Sequence, residues 1–261
     1  MSATVVNSGI VHYEVIGRGK PLIFLHGWVG SWRYWVRTME ALSITYRAYA
    51  FDLWGFGDSD KRADYYSLDA YVELLDGFVE RLGMEQVSLV GHALGGLVAL
   101  RFARAAPERV GRVMGVSVPL AESALTRPVA ALIGDGDSIT KLLGKRVSLP
   151  ELEPEVQKAD TAAIHNTLRA LSETDLRSDL RALELPVLLI YGRSDPLVRP
   201  PSEEYLACPS GLQRVMVMDH AQHFPMLEEH NKFNRLLQDF LEAGEDLSGL
   251  VFKDEWQRRI R

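Results

Sequence analysis

Residues 87–96 read VSLVGHALGG. Val87, Leu89 and Val90 favour a buried strand, and the run from Leu94 onward favours a helix. Gly91, Gly95 and Gly96 remove Cβ atoms where a strand must turn sharply into a helix and lie close to its neighbours. Such a turn projects one side chain, that of residue 93, at the edge of a sheet. The helix N-terminus behind it favours a developing negative charge. The residue in that position is Ala93, whose methyl group has nothing to react with.

The rest of the chain repeats the same unit. Strands are predicted over 10–17, 22–27, 47–52, 87–91, 112–118, 187–192 and 213–218. The later ones are continuous Val, Leu, Ile and Met runs, the pattern of strands covered on both faces. Helices fit between them. From Ser67, an N-cap by type, Leu68, Val72, Leu75, Val79 and Leu82 make one stripe that Gly83 ends. Residues 94–106 are apolar nearly all round, which predicts burial. Residues 227–243 predict a last amphipathic helix with Phe233, Leu236, Leu237, Phe240 and Leu241 inward. This alternation predicts an α/β class with a doubly wound, mostly parallel sheet. The stretch between Val118 and Val187 shows helical periodicity and no clear strand, and is too long for a connection. It predicts a helical insertion over 121–181 that contains no Phe, Tyr or Trp. The expected organisation is a core domain of 1–120 and 182–243, a helical cap of 121–181 and a C-terminal tail of 244–261.

Charge and cysteine content narrow the function. The 261 residues carry a formal net charge of −6, which speaks against nucleic acid and anionic membrane surfaces as partners. The one cysteine, Cys208, has no partner for an intramolecular disulfide, in keeping with a reducing compartment. The N-terminus lacks the pattern of a signal peptide, and no apolar run approaches the ~18 residues of a membrane helix. The expectation is a cytoplasmic protein, monomeric or homodimeric, with a small-molecule partner.

In open parallel sheets, ligands bind outside the carboxyl ends of the strands. Those ends carry His26-Gly27-Trp28, Asp52, Gly91-His92-Ala93, Asp195 and the residues after Met218. Taken alone, Gly91-His92-Ala93-Leu94-Gly95 also fits an ordinary strand–helix turn, and Asp195 a turn before Pro196. With serine at its centre, however, G-x-A-x-G would be a nucleophile elbow. A carboxylate at Asp195 can orient an imidazole. His223, just after the last strand, supplies the imidazole, within an H-x-P-x-x-E run (His223, Pro225, Glu228). His220 and His230 are competitors without that spacing. Two backbone N–H groups are needed for an oxyanion. Leu94, after the elbow residue, and Trp28, in the loop after the 22–27 strand, are the candidates. His26 is expected to hold that loop by hydrogen bonds.

The order elbow, Asp, His, with a donor loop ahead of them, resembles the α/β-hydrolase superfamily over nearly the whole chain. FDLWGFGDSD (51–60) resembles that family's D-x-x-G-x-G-x-S segment, in which Asp52, Gly55, Gly57 and Ser59 build a structural loop beside the pocket. The resemblance implies an eight-stranded sheet with the cap inserted after strand 6. It also implies serine-hydrolase chemistry on a hydrophobic carboxylic ester through an acyl-enzyme, with no metal or organic cofactor. The roles carried over are nucleophile position Ala93, acid Asp195, base His223 and oxyanion donors Trp28 and Leu94. Gln222 departs from the family's usual glycine. Ala93 departs more seriously, and reads as a serine replaced by alanine. The alternatives are a natural homologue without a nucleophile, either a ligand-binding sensor or a cofactor-free enzyme using the His–Asp pair as base, and a carbon–carbon bond hydrolase. Epoxide hydrolases and haloalkane dehalogenases fit poorly: their elbow carries Asp, the cap offers no tyrosine, and Leu94 stands where dehalogenases place a tryptophan. IGDGDSIT (133–140) lacks the ligands of a calcium loop and reads as a hinge. Trp32, Tyr34 and Trp35 are expected to pack near the oxyanion loop, with some lining the pocket. Val251, Phe252 and Trp256 suggest that the tail docks, on its own subunit or on a partner.

Overall fold

A computed structural model describes residues 2–131, 133, 135, 137–138, 141–142, 149–201 and 211–252. The strands are β1 (Ser2–Val6), β2 (Gly9–Gly17), β3 (Lys20–Leu25), β4 (Tyr46–Phe51), β5 (Val87–His92), β6 (Val110–Val116), β7 (Val187–Gly192) and β8 (Gln213–Met218). The helices are α1 (Val36–Leu42), α2 (Leu68–Arg81), α3 (Leu94–Ala105), α4 (Arg127–Ala130), α5 (Glu153–Val156), α6 (Thr161–Ala170), α7 (Leu176–Arg181), α8 (Pro225–Glu228) and α9 (His230–Glu242). The eight strands form one sheet in the order β1-β2-β4-β3-β5-β6-β7-β8. β2 runs antiparallel to β1 and β4, and all pairs from β4 to β8 are parallel. This is the doubly wound, mostly parallel sheet that the alternation predicts.

Register aligns the chemistry. Leu25 lies opposite both Phe51 and Gly91, His92 opposite Val116, and Gly192 opposite Met218. The residues that follow these ends therefore emerge along one edge of the sheet.

Particular residues explain why the elements form where they do. Ser67 caps α2, accepting the Ala70 N–H at 3.1 Å, and Gly83 leaves the helix at φ +65°. Of the aliphatic stripe on α2, Leu68, Leu75 and Val79 are buried as expected; the buried face extends to Tyr71, Leu74 and Phe78, whereas Val72 and Leu82 are only partly covered. The two rings carry more apolar area than the valine and leucine, and they set which face turns in. α3 is buried almost all round, as predicted. The last helix breaks at Glu229 (φ −126°, ψ 47°) into α8 and α9, so one continuous helix over 227–243 is not formed. Pro225 starts the separate turn of α8. The inward residues of α9 are the five expected. β1 escapes the sequence pattern because it is a short edge strand with Val5 57% exposed.

Between β6 and β7 the described residues form α4 to α7, with no strand beyond one bridge from Leu125 to Val198. Much of the expected hinge (Gly134, Gly136, Ile139, Thr140) lies outside the described residues, as do Cys208 and Trp256. The described part of the tail docks on its own chain. Leu247 and Leu250 are buried, the Leu247 N–H donates to Gly211 O at 2.8 Å, and Lys232 stands 4.6 Å from the Phe252 ring centre. Val251, expected to help the docking, is 53% exposed.

Asp52 organises the loop after β4. Its carboxylate accepts the Trp32 N–H (2.8 Å) and the Asp58 N–H (2.9 Å), while Ser59 Oγ donates to its carbonyl (2.7 Å). Gly57 has φ +51°, and a side chain there would collide with the Asp52 carboxylate. Burial dominates the two amides and pushes the Asp52 carboxyl up to about 7, with Asp58 and Glu155 adding to the rise.

Two predictions follow from these contacts. A Cβ on Gly95 would strike the carbonyls of Leu25 and His26, which are fixed main chain. Gly95→Ala should therefore destabilise the fold by about 3 kcal/mol or more, read as a lowered midpoint in urea. Because Asp52 titrates higher folded than unfolded, the stability it contributes is complete below about pH 4 and lost as pH rises through about 7. The stability difference between parent and Asp52→Asn should shift by roughly 4 kcal/mol across that window in favour of the variant. Parallel stability–pH curves for the two proteins would contradict this.

Candidate active site

Ala93 sits between β5 and α3 with φ +46° and ψ −108°, outside the left-handed basin that non-glycine residues occasionally enter. Such a conformation costs on the order of 1–3 kcal/mol and persists only when its surroundings enforce it. The enforcement is visible. The Ala93 N–H donates to Val116 O (2.8 Å), and its carbonyl accepts from Gly96 (3.0 Å) and Leu97 (3.1 Å). A Cβ on Gly91 would strike the main chain of Gly95 and Gly96, and one on Gly96 would strike Val118. The three glycines of the motif thus let α3 press directly on the sheet.

After β7, Asp195 is held by its own turn: Oδ1 accepts the amides of Leu197 (2.8 Å) and Val198 (3.0 Å). Its Oδ2 faces His223 Nδ1 at 2.8 Å, and both side chains are buried. Burial alone would raise the Asp195 pKa. The facing His223, through its charge and its hydrogen bond, and the two amides outweigh that and hold it below the usual carboxylate range. A carboxylate at Nδ1 keeps the proton on that nitrogen and leaves Nε2 as the basic atom of the neutral ring. His220 is exposed and His230 half-buried at the start of α9, and neither is paired with Asp195. Glu228, the end of the H-x-P-x-x-E run, accepts the Gln222 N–H at 2.5 Å and so anchors the residue before the imidazole.

The loop after β3 approaches the elbow closely. A Cβ on Gly27 would lie 2.7 Å from His92 Nδ1 and 3.0 Å from Ala93 Cβ. The Gly27 N–H donates to Tyr34 Oη (2.6 Å), and Trp28 is the next residue along this loop. Leu94 opens α3, and its N–H has no carbonyl one turn back within the helix. His26 does hold this loop. Its Nε2 accepts the Leu53 N–H (2.9 Å) and its Nδ1 donates to Gly27 O (2.9 Å), the neutral tautomer. Burial, against the Gly27 carbonyl, pulls its pKa down to about 4. Val29 follows Trp28 at φ +53°, a costly geometry for a β-branched residue.

An apolar recess opens beside His223. Trp28, Val29, Leu197, Val198 and Phe224 line it from the loops at the sheet edge, and Leu125, Val129 and Leu168 from the segment between β6 and β7. The described contribution of that segment is aliphatic (Leu125, Val129 and Leu168), in keeping with its composition. Trp32, Tyr34 and Trp35 pack near the loop, but none of them lines the recess. The indole N–H of Trp28 donates to Thr167 Oγ1 on α6 (2.8 Å), tying the loop after β3 to that segment. A second recess, touching Val187 and Gln213 at the amino ends of β7 and β8, lies at the other end of the strands.

The sequence pattern placed Tyr34 near the oxyanion loop without giving its hydroxyl a partner, passed over Thr167, and gave His92 no role. All three are buried polar groups next to recognised motifs, and only their contacts show what they do.

Comparison with known proteins agrees with this architecture. The chain is 30% identical over 247 aligned residues to a pimeloyl-[acyl-carrier protein] methyl ester esterase of Nitrosomonas europaea, covering 85% of this chain and 96% of that one. A 2-hydroxymuconate semialdehyde hydrolase of a Pseudomonas strain is 28% identical over 253 residues, covering 86% and 88%. The solved esterase of Exiguobacterium antarcticum superposes with a TM-score of 0.78 at 23% identity, covering 91% of this chain and 97% of that one, and shares the fold. Among the described residues no helix is long and apolar enough to cross a membrane. The model of the alpha/beta hydrolase family matches residues 22–236, and the chain belongs to that family of hydrolases.

Proposed function

We propose that this chain is a serine hydrolase of small hydrophobic carboxylic esters in which alanine occupies the nucleophile position, residue 93. The observation that carries the reading is the pairing of a strained, enforced turn at Ala93 with a buried Asp195–His223 couple at 2.8 Å. A turn with φ +46° is relieved by glycine, and a methyl group gives no reason to bear the strain. A side chain with a reaction to perform does.

With serine at 93, its hydroxyl would attack the ester carbonyl. His223 Nε2 would take the proton and pass it to the leaving alcohol, with Asp195 orienting the ring and stabilising its charged form. The amides of Trp28 and Leu94 would bind the tetrahedral oxyanion, each worth about 2.7–4 kcal/mol. Water would then enter by the same base and release the acid. Residues 121–181 would act as the cap, their aliphatic side chains closing over the acyl or alcohol group. This chemistry calls for no metal or organic cofactor.

Relatives include an esterase and a hydrolase of a 2-hydroxymuconate semialdehyde. The recess favours the ester. Its described lining holds no Lys or Arg to pair with an acidic substrate group, and His223 is its only titratable side chain.

Ala93→Ser should raise turnover of a short-chain p-nitrophenyl ester by several orders of magnitude, up to about 10⁶-fold. Asp195→Asn or His223→Ala in that background should remove most of the gain. If the serine variant shows no more hydrolysis than the alanine chain, the ester-hydrolase reading fails, and a binding protein or base-only enzyme takes its place. The codon for residue 93 in the source gene separates a replaced serine from a native alanine.

A further inference from the structure

Three pieces of the site come from distant parts of the sequence: the loop after β3, the elbow after β5 and the loop holding His223. One buried chain of hydrogen bonds joins all three. The Gly27 N–H donates to Tyr34 Oη (2.6 Å), Tyr34 Oη lies 3.0 Å from His92 Nδ1, and His92 Nε2 lies 2.9 Å from the carbonyl oxygen of His223. Tyr34 and His92 are 2% and 0% exposed, so no solvent substitutes for a lost partner.

The direction of every proton follows from the partners. A carbonyl only accepts, so His92 Nε2 carries the hydrogen. Burial, with the nearby charge of His223, holds the His92 pKa well below its usual value, so the ring is neutral and Nδ1 is an acceptor. Tyr34 therefore donates to Nδ1. Its oxygen is then free to accept from Gly27, and burial keeps the phenol protonated. All donors and acceptors of the chain are matched in one arrangement. Reversing any bond would leave two donors or two acceptors face to face.

We propose that Tyr34 and His92 are positioning residues, which set the distance between the oxyanion loop, the residue 93 turn and the main chain of His223 through this hydrogen-bond chain. The proposal rests on the reading of His223 as the base. Neither side chain lines the recess, and both act through the groups they hold. Ring packing supports the same geometry: Tyr34 and His223 lie edge-on to Phe224, at 5.8 and 5.1 Å between centres, and His92 is 4.7 Å from both His223 and Phe224.

The test uses Tyr34→Phe, which removes one oxygen and keeps the ring. In the Ala93→Ser background it should lower kcat about tenfold to a hundredfold with KM nearly unchanged, since misplacement of catalytic groups acts on the transition state. In the unaltered alanine chain, histidine ring 1H–15N spectra should show His92 as the Nε2–H tautomer, with that proton protected from exchange. Tyr34→Phe should mix the tautomer and shift the His223 Nδ1 proton. An unchanged kcat together with an unmoved His223 signal overturns the proposal. So does an Nδ1–H tautomer of His92 in the unaltered chain, a result that needs no variant to fold. If Ala93→Ser hydrolyses nothing, the ester-hydrolase reading falls, while the spectra of the alanine chain still decide the positioning role.

Discussion

The contact on which this molecule depends is the bare approach of α3 to the sheet. At Gly91, Gly95 and Gly96 main chain meets main chain or a core valine with no room for a Cβ. That approach forces residue 93 into its strained conformation and brings the helix N-terminus to the strand ends. The loop after β3 can then come within contact distance, because Gly27 too lacks a side chain. Close packing makes such features all-or-none: a methyl group at Gly91 or Gly95 displaces fixed backbone, not a flexible neighbour. The chemistry of a family built on this turn is thus tied to the foldability of its central β5–α3 unit.

Much of this was legible in the sequence because it is written in residue types with few uses. Glycines at 91, 95 and 96, apolar runs bounded by turns, and a Pro two residues after His223 each constrain the backbone directly. They located seven of the eight strands and the buried α3, while the resemblance to the α/β-hydrolase order singled out the Asp195–His223 pair that the structure places in contact. The failures share a cause as well. β1 is too short and exposed for a hydrophobic pattern to mark it. On α2 the stripe found Leu68, Leu75 and Val79 but gave Val72 and Leu82 too much weight, because it was drawn without Tyr71 and Phe78, whose rings shift the buried face. The break at Glu229 comes from the separate turn that Pro225 starts, which periodicity alone does not register. Tyr34, His92 and Thr167 were invisible as a group because each meets partners far away in the chain.

The site separates two kinds of work. Side chains that would carry the reaction are few: residue 93, His223 and Asp195. Most of the remaining buried polar groups serve to hold backbone, as His26 does for Leu53 and Gly27 and as Asp52 does for Trp32 and Asp58. A backbone scaffold of this kind does not need a hydroxyl at 93 to form. With alanine there, the turn, the loop after β3 and the Asp195–His223 pair are all in place.

The bond between the Trp28 indole and Thr167 has a consequence for traffic through the recess. Both groups are buried, so pulling α6 away strips an enclosed donor of its acceptor, a penalty of about 1–3 kcal/mol unless water enters behind it. Trp28 also follows Gly27, whose position lies directly against Ala93. Displacement of α6 and loosening of the loop after β3 therefore belong to one equilibrium: whatever holds α6 down also steadies that loop, and its release frees both together.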